Sequence, residues 1–272
     1  MIKKVIIYIV FFIVLIGCFV LYTILSKDQK YEKVVYQIEY PSDTLFSEKQ
    51  LAEYVKKNCV PVIGKPFDSV KLTDFEQIVD KYPYLEDADV INNKGTLIVK
   101  ARQEKIVAKV FNKNNEQFLL AESGKLVPSS NNSAGRVIVV SGYISYKYIK
   151  NYWVRETKDT SATKSNAPKY HNTLYSIWRI ARFIENDPFW KAQIGQIYVD
   201  ENQEIELVPT VGEHVILFGR IKSSEDVNKA IAEKFGYLKK VYTQGFKVTG
   251  WEKYKTINLK FGTEIPCEKR IN

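Results

Sequence analysis

Residues that usually carry catalysis or hold metal ions are scarce in this sequence of 272 residues. It contains two histidines, His171 and His214, and neither has a second His or Cys at the spacing of a metal site. It lacks the Gly-x-Ser-x-Gly elbow, the Ser-x-x-Lys set of penicillin-binding enzymes and the Gly-x(4)-Gly-Lys-Ser/Thr phosphate loop. We therefore expect a protein that is not an enzyme and that uses no cofactor, no metal and no small-molecule substrate.

One pair of acidic residues invites a catalytic interpretation. Glu204 and Glu206 resemble the paired carboxylates of glycoside hydrolysis. Because they alternate on a predicted strand, we interpret them instead as part of one solvent-facing surface.

Cysteine is also scarce, with Cys18 in an apolar run and two others, Cys59 and Cys267, far apart. An oxidising compartment would permit a bridge between those two, but two widely separated cysteines do not make a disulfide framework. We favour two separate thiols.

Basic residues outnumber acidic ones, 40 to 31, so the formal net charge is +9. Such a charge favours anionic partners, including acidic proteins, lipid head groups and acidic polymers. The basic residues are dispersed and the aromatic residues fall at core-facing positions, which disfavours nucleic-acid binding.

Charged residues are absent from Val5 to Leu25. This length matches the roughly 20 residues that an α-helix needs to cross a bilayer. The run is longer than the apolar part of a signal peptide, and no Ala-x-Ala cleavage pattern follows it. With Lys3 and Lys4 before it, the pattern predicts a single transmembrane helix, a cytoplasmic N-terminus and residues 27–272 outside the cytoplasm.

Residues 34–103 show the pattern strand, helix, helix, strand, strand. The predicted strands are Val34–Tyr40, Tyr84–Ile91 and Thr96–Arg102. Ser47 with Gln50 forms a capping box at the start of the first helix, and Thr73 with Glu76 forms one at the second. This pattern predicts a small α+β unit with both helices on one face of a three-stranded sheet.

Short strands dominate the sequence after residue 103. They are predicted at Ile106–Phe111, Phe118–Ala121, Lys125–Val127, Arg136–Val140, Gln193–Val199, Glu204–Pro209, Val215–Phe218 and Thr256–Phe261. Two amphipathic helices are predicted over Leu174–Ile184 and Val227–Leu238, and a polar loop over 155–171. The expected fold class is α+β, with a mostly antiparallel β-domain and flanking helices.

The last predicted strand, Thr256–Phe261, alternates strictly between polar and apolar residues. A strand near the end of a domain can lie at a sheet edge and offer its unpaired N–H and C=O groups to another chain. An ordinary internal strand fits the same pattern, so the residues alone leave both interpretations open.

Four stretches resemble the FtsQ family of bacterial cell-division proteins, in the form found in Bacteroidetes. The stretches are Leu97–Val110, Glu122–Pro128, Phe189–Val199 with Ile205–Gly212 and Ile216–Gly219, and Tyr254–Phe261. The resemblance spans essentially the whole chain, including the position of the apolar run.

The resemblance implies an ordered series of segments. They are a cytoplasmic N-terminus (1–4), a transmembrane helix (5–25), a stalk (26–33), a POTRA domain (34–103), a β-domain (104–262) and a C-terminal tail (263–272). It also implies a non-catalytic divisome scaffold of the inner membrane, crossing it once, with its domains in the periplasm at the division site. Such a scaffold recruits and links division proteins at the septum.

The partner implied by the resemblance is an FtsB/FtsL pair, with other divisome components, bound by β-strand addition. The partner-binding residues would be Tyr254, Thr256, Ile257, Asn258, Leu259, Lys260 and Phe261. An anchored envelope chaperone or assembly factor using the POTRA domain is the alternative. Such proteins usually carry several POTRA units or a barrel, so one unit with a helical anchor favours the scaffold.

Overall fold

Two separate sheets organise the residues that this computed structural model describes. Those residues are 8, 11–21, 29–41, 43–129, 135–154, 171–221 and 226–270. The chain divides into two compact units. The first comprises the described residues up to Glu39 together with Phe46–Gln103; the second comprises Tyr40–Leu45 together with the described residues from Glu104 onward.

In the first unit, two helices accompany a three-stranded sheet. The elements are β1 (Lys33–Glu39), α1 (Glu48–Asn58), a 3₁₀ turn (Phe67–Ser69), α2 (Leu72–Val79), β2 (Leu85–Asn93) and β3 (Thr96–Gln103). The strand order is β1-β3-β2, with β1 parallel and β2 antiparallel to the central β3. Helix α1 packs on β1, and α2 packs on β2. The predicted succession of elements is confirmed.

The two helices of this unit begin in different ways. At α1 the predicted capping box is confirmed: the amide of Gln50 donates to Ser47 Oγ at 3.3 Å, and the amide of Ser47 donates to Gln50 Oε1 at 2.7 Å. At α2 the predicted box is wrong, because Lys71 is the N-cap and no side chain among the described residues caps it. Glu76 instead accepts a hydrogen bond from the amide of Val90 at 3.2 Å, which links α2 to β2.

The second unit contains one nine-stranded sheet. Its elements are β4 (Ile106–Phe111), β5 (Gln117–Ala121), β6 (Leu126–Pro128), β7 (Ile138–Gly142), α3 (His171–Asn186), α4 (Pro188–Gln193), β8 (Ile194–Val199), β9 (Ile205–Pro209), β10 (Val215–Gly219), α5 (Val227–Lys240), a π-helical turn (Val241–Gly245), α6 (Phe246–Thr249), β11 (Tyr254–Asn258) and β12 (Cys267–Lys269). The strand order is β12-β11-β10-β9-β8-β7-β4-β5-β6.

A single row of buried aliphatic side chains crosses this sheet from β4 to β11. The strand registers place its members side by side in the order Val110, Val140, Ile197, Leu207, Ile216 and Ile257. All six side chains are fully buried. They share a core with Ile177 and Ala181 of α3 and with Ile231 and Phe235 of α5. Since side chains alternate along a strand, the neighbouring residues point to the opposite face of the sheet.

The large sheet is mixed, which corrects the expected β-domain in part: five of its eight strand pairings are antiparallel, as expected. Three pairings are parallel: β4 with β7, β7 with β8, and β10 with β11. Parallel neighbours need a long crossover connection, usually a helix. Helices α3 and α4 lie between β7 and β8 in the chain, and α5 and α6 lie between β10 and β11. The helices that were predicted to flank the β-domain are therefore crossover connections. They join β7 to β8 and β10 to β11, and both of these strand pairs are parallel.

The expected membrane-spanning helix at 5–25 is also corrected. Within the described residues, none of the helices has the length and apolar character required to span a bilayer. The N-terminal helix is described at residue 8 and over 11–21. Lys3 and Lys4 lie outside the described residues.

A buried ion pair joins the turn between β5 and β6 to Glu104, which lies between β3 and β4. Lys125 Nζ lies 3.6 Å from Glu104 Oε1, and both side chains are almost fully buried. Ser123 Oγ donates a hydrogen bond to the other oxygen of Glu104 at 2.8 Å. Gly124 adopts φ +87°, and a Cβ atom there would lie 2.6 Å from the carbonyl oxygen of Val154. The turn therefore requires glycine at this position.

Candidate partner-binding site

Strand β11, which contains four of the seven predicted partner-binding residues, is paired on both sides. It runs parallel to β10, with Thr256 opposite Val215 and Ile257 opposite Ile216. It runs antiparallel to β12, with Thr256 opposite Glu268 and Ile257 opposite Cys267. Of the two interpretations left open, the structure has the internal strand, since β11 is second from the edge; the segment expected as a tail contributes the outermost strand.

At the C-terminal end of β11, successive backbone amides point alternately toward β12 and toward β10. The amide of Asn258 donates to the carbonyl of Pro266 at 2.9 Å, on the side of β12. The amide of the next residue, Leu259, donates to the carbonyl of Leu217 in β10, also at 2.9 Å. The Asn258 amide is therefore a main-chain donor that another strand could use in place of β12. The Leu259 amide, by contrast, is bonded to β10 inside the sheet.

The predicted site residues divide between the two faces of the sheet and the following turn. Ile257 and Leu259 are buried in the core. Tyr254 is half-buried, with its ring centroid 6.2 Å from that of Phe246. Thr256 and Asn258 alternate with the core residues and are also half-buried. Lys260 and Phe261 follow in the turn, and Phe261 is 63% exposed. The structure therefore places Phe261 as the large apolar side chain most available to a partner within this set.

Ion pairs surround the end of the sheet. Lys255 lies 3.9 Å from Glu268 across the β11–β12 pair, Lys260 is paired with Glu204, and Arg270 is paired with Glu213. Burial, followed by the nearby charge of Asp200, raises the pKa of Glu206 above its usual range, although Lys260 opposes the shift. The two acidic residues of the predicted strand thus differ in surroundings, since Glu204 is ion-paired and Glu206 has a raised pKa.

A groove rich in basic residues adjoins the C-terminal end of β11. Its charged lining residues are Arg220, Lys229, Lys234 and Lys260, with Asp226 and Glu233. Lys234 Nζ donates a hydrogen bond to the carbonyl oxygen of Phe218 and lies 4.8 Å from the centroid of the Phe218 ring. No sequence pattern indicates this groove, because it forms only when Lys260 is brought beside Arg220 and α5 in the folded chain. Its lining carries four cations and two carboxylates, and Lys260 is also paired with Glu204, so a net positive charge remains that suits an acidic segment.

His214 belongs to a buried aromatic cluster beside the π-helical turn. Its side chain is 1% exposed, and its Nε2 lies 2.9 Å from Tyr242 Oη. Its Nδ1 has no hydrogen-bond partner among the residues that the structure describes. Burial, and secondarily the charge of Arg270, lowers the pKa of His214 below its ordinary value. The neutral imidazole is therefore the form that the fold accommodates.

Metal-ligating side chains do not cluster in the described part of the chain. No group of three His, Cys, Asp or Glu residues there could hold an ion. Cys59 and Cys267 are free thiols. The side chain of His171 and the predicted loop residues 155–170 lie outside the described residues.

Comparison with known proteins gives one family match. The family model described as FtsQ/DivIB, C-terminal related, matches residues 105–268. The matched segment runs from the start of β4 into β12 and contains all seven predicted partner-binding residues. Among the curated proteins, none matches this chain.

Proposed function

This chain belongs to the FtsQ/DivIB C-terminal related family, and we propose on that basis that it is a non-catalytic scaffold that recruits and links division proteins at the septum. Membership of this family identifies a cell-division protein associated with the division site. The observation that carries the proposal is the family match, because it covers more than half of the chain.

The proposed partner is an FtsB/FtsL-type pair that adds a strand at the β11 end of the large sheet. Main-chain hydrogen bonds supply the affinity in this mode of binding, and alternate side chains supply the specificity. Two features support this end of the sheet. The Asn258 amide points away from β10, and the exposed Phe261 follows three residues later. Strand addition would use the residues Tyr254, Thr256, Ile257, Asn258, Leu259, Lys260 and Phe261.

We assign a separate recruiting role to the first unit, as a POTRA domain over residues 34–103. The support is its small sheet with two accompanying helices. The second unit would then bind the partner pair, so that one chain links two sets of division proteins.

The test is binding of this chain to the FtsB/FtsL-type pair of the same organism, measured by titration calorimetry. Asn258→Pro removes the main-chain donor on the side of β12, while Asn258→Ala removes the same side chain and keeps the donor. We expect Asn258→Pro to bind about 10-fold more weakly or worse, because a hydrogen bond is lost and the ring crowds the incoming strand. Asn258→Ala should stay within about 3-fold of the unmodified chain.

Circular dichroism and tryptophan fluorescence first establish that both variants are folded. Equal binding by the folded proline and alanine variants would exclude strand addition at this edge. Failure of the unmodified chain to bind the pair would exclude the proposed partner. The envelope assembly role, tested by binding of unfolded secreted chains, would then take its place.

A further inference from the structure

The outermost strand of the large sheet is made by a short segment that we call the cover segment, Ile265–Arg270. It contains β12 and lies against the side of β11 to which the proposed partner would bind. The inference below rests on the proposed function, since it concerns how a partner strand gains access to that side.

The cover segment completes the core at this end of the sheet. Cys267 lies opposite Ile257 and so places a partly buried side chain at the end of the row of buried side chains. Ile265 and Cys267, two residues apart, both pack partly buried against the hydrophobic core. Between and after them, Pro266 and Glu268 alternate to the other face. In the folded chain the segment thus alternates between core-facing and exposed side chains over a very short length.

Few main-chain interactions hold the cover segment in place. β12 has three residues, and the register shifts between Tyr254 and Thr256. Near the start of the cover segment, the carbonyl of Pro266 accepts from the Asn258 amide at 2.9 Å. At the end of the segment, the Arg270 amide donates to the carbonyl of Lys253 at 3.0 Å. Pro266 cannot donate in return because proline has no N–H group. The edge is therefore covered by a strand at the short end of the usual range, preceded by a residue that cannot donate to β11.

The polar side-chain contacts of the cover segment are exposed. Thr256 Oγ1 donates to Glu268 Oε2 at 3.4 Å, and Lys255 lies 3.9 Å from the same carboxylate. Arg270 pairs with Glu213, a side chain that is 79% exposed. Exposed ion pairs of this kind contribute little to stability. Replacement of the cover segment would therefore disturb the rest of the sheet very little.

We propose that the cover segment is an internal substitute for the partner strand and leaves β11 when the partner binds. The replacing strand runs antiparallel to β11, as β12 does. It places apolar side chains at the positions of Ile265 and Cys267, where the core row ends. At the position of Glu268 it carries an acidic residue, because Lys255 and Thr256 lie opposite. Its recognition sequence thus reads apolar, any residue, apolar, acidic.

The first test needs no partner. Amide hydrogen exchange is followed by NMR on the unmodified chain, with each rate expressed as a protection factor. Asn258 and Leu259 are adjacent, but their amides bond to the cover segment and to β10 respectively. If the cover segment opens alone, the Asn258 and Arg270 amides exchange about 100-fold faster than the Leu259 amide. Equal protection of these amides would mean that the segment opens only with the sheet, and the proposal would fail.

The second test locks the cover segment with a disulfide. Thr256→Cys and Glu268→Cys are combined with Cys267→Ser, because opposite residues of an antiparallel pair have Cα atoms about 4.5–5.5 Å apart. This separation suits a disulfide. Mass spectrometry of the 256–268 link confirms the lock. We expect the oxidised variant to bind the FtsB/FtsL-type pair at least about 100-fold more weakly than the same variant after reduction.

The matched control is Thr256→Cys with Cys267→Ser, whose binding should be the same under oxidising and reducing conditions. Equal binding by the locked and the reduced double-cysteine variant would overturn the proposal and leave the proposed function standing. If the unmodified chain binds no FtsB/FtsL-type pair, the proposed function fails. The exchange test then decides independently whether the cover segment opens alone.

Discussion

His214 shows how one buried side chain gives the second unit a pH dependence. Its imidazole is enclosed by Tyr242, Phe246 and Trp251, with ring centroids 5.7, 5.3 and 6.2 Å away. Burial lowers its pKa in the folded state, whereas in the unfolded chain it titrates near its ordinary value of about 6.5. Below that pH the unfolded state therefore binds more protons than the folded state does.

We predict that the free energy of unfolding of the second unit falls as the pH drops from about 6.5 toward the lowered pKa of His214. The contribution of this group is fully present above about pH 6.5 and changes by at most about 1.4 kcal/mol per pH unit below it. His214→Gln should reduce the slope in this window. Denaturant unfolding followed by tryptophan fluorescence measures it, because Trp153, Trp178, Trp190 and Trp251 all belong to the second unit.

The comparison of slopes is needed because Glu206 acts in the opposite direction. Its raised pKa means that the folded state takes up a proton first, which increases stability as the pH falls. His171→Gln is the matched control, since it keeps His214. An unchanged slope in His214→Gln would show that other groups govern the pH dependence.

At the scale of single elements, the caps of α1 and α2 offer a contrast within one unit. Ser47 caps α1 through its hydroxyl, whereas Lys71 at the corresponding position of α2 provides no acceptor. We predict that Lys71→Ser stabilises the first unit by about 0.5–1 kcal/mol and that Ser47→Ala destabilises it by about 1 kcal/mol. Hydrogen exchange of the α1 and α2 amides measures both changes. A destabilising Lys71→Ser would show that the lysine side chain supports the helix in another way.

Structural features that depend only on residues close together in the sequence were predicted well. The Ser47–Gln50 capping box and the strand Ile106–Phe111 depend on neighbouring residues and agree with the structure. The Thr73–Glu76 pair fits the same motif, but tertiary structure takes Glu76 to the amide of Val90. Strand β12 has no local signal, since proline and three charged residues surround Cys267. It is a strand because β11 offers an edge and Cys267 completes a core row.

The same distinction applies to the candidate site. Alternation along Thr256–Phe261 predicted a strand, and the structure has one at Tyr254–Asn258. Which edge of β11 faces the outside of the sheet depends on its neighbours β10 and β12. Strand β10 lies far away in the sequence, and β12 carries no strand pattern. The basic groove likewise arises only when Arg220, Lys229 and Lys260 are brought together.

At the scale of the whole molecule, the net charge of +9 makes association with the proposed partner sensitive to salt. We predict that the association rate falls about 10-fold or more between 50 and 500 mM salt, because screening weakens long-range attraction to an acidic partner. Stopped-flow kinetics measures the rate. Lys229→Glu, in the exposed part of the groove, should slow association and leave dissociation nearly unchanged. A rate that does not change with salt would mean that the partner surface is not acidic.

The order of the strands in the large sheet has a consequence for biosynthesis. After β4, β5 and β6, strand β7 joins β4, and each later strand pairs with the one made just before it, through to β12. The sheet can therefore grow one strand at a time as the chain leaves the ribosome. Strand β11 is synthesised before Cys267–Lys269. During translation the edge of β11 that β12 later covers is therefore briefly unpaired. A partner present at that moment meets no competitor.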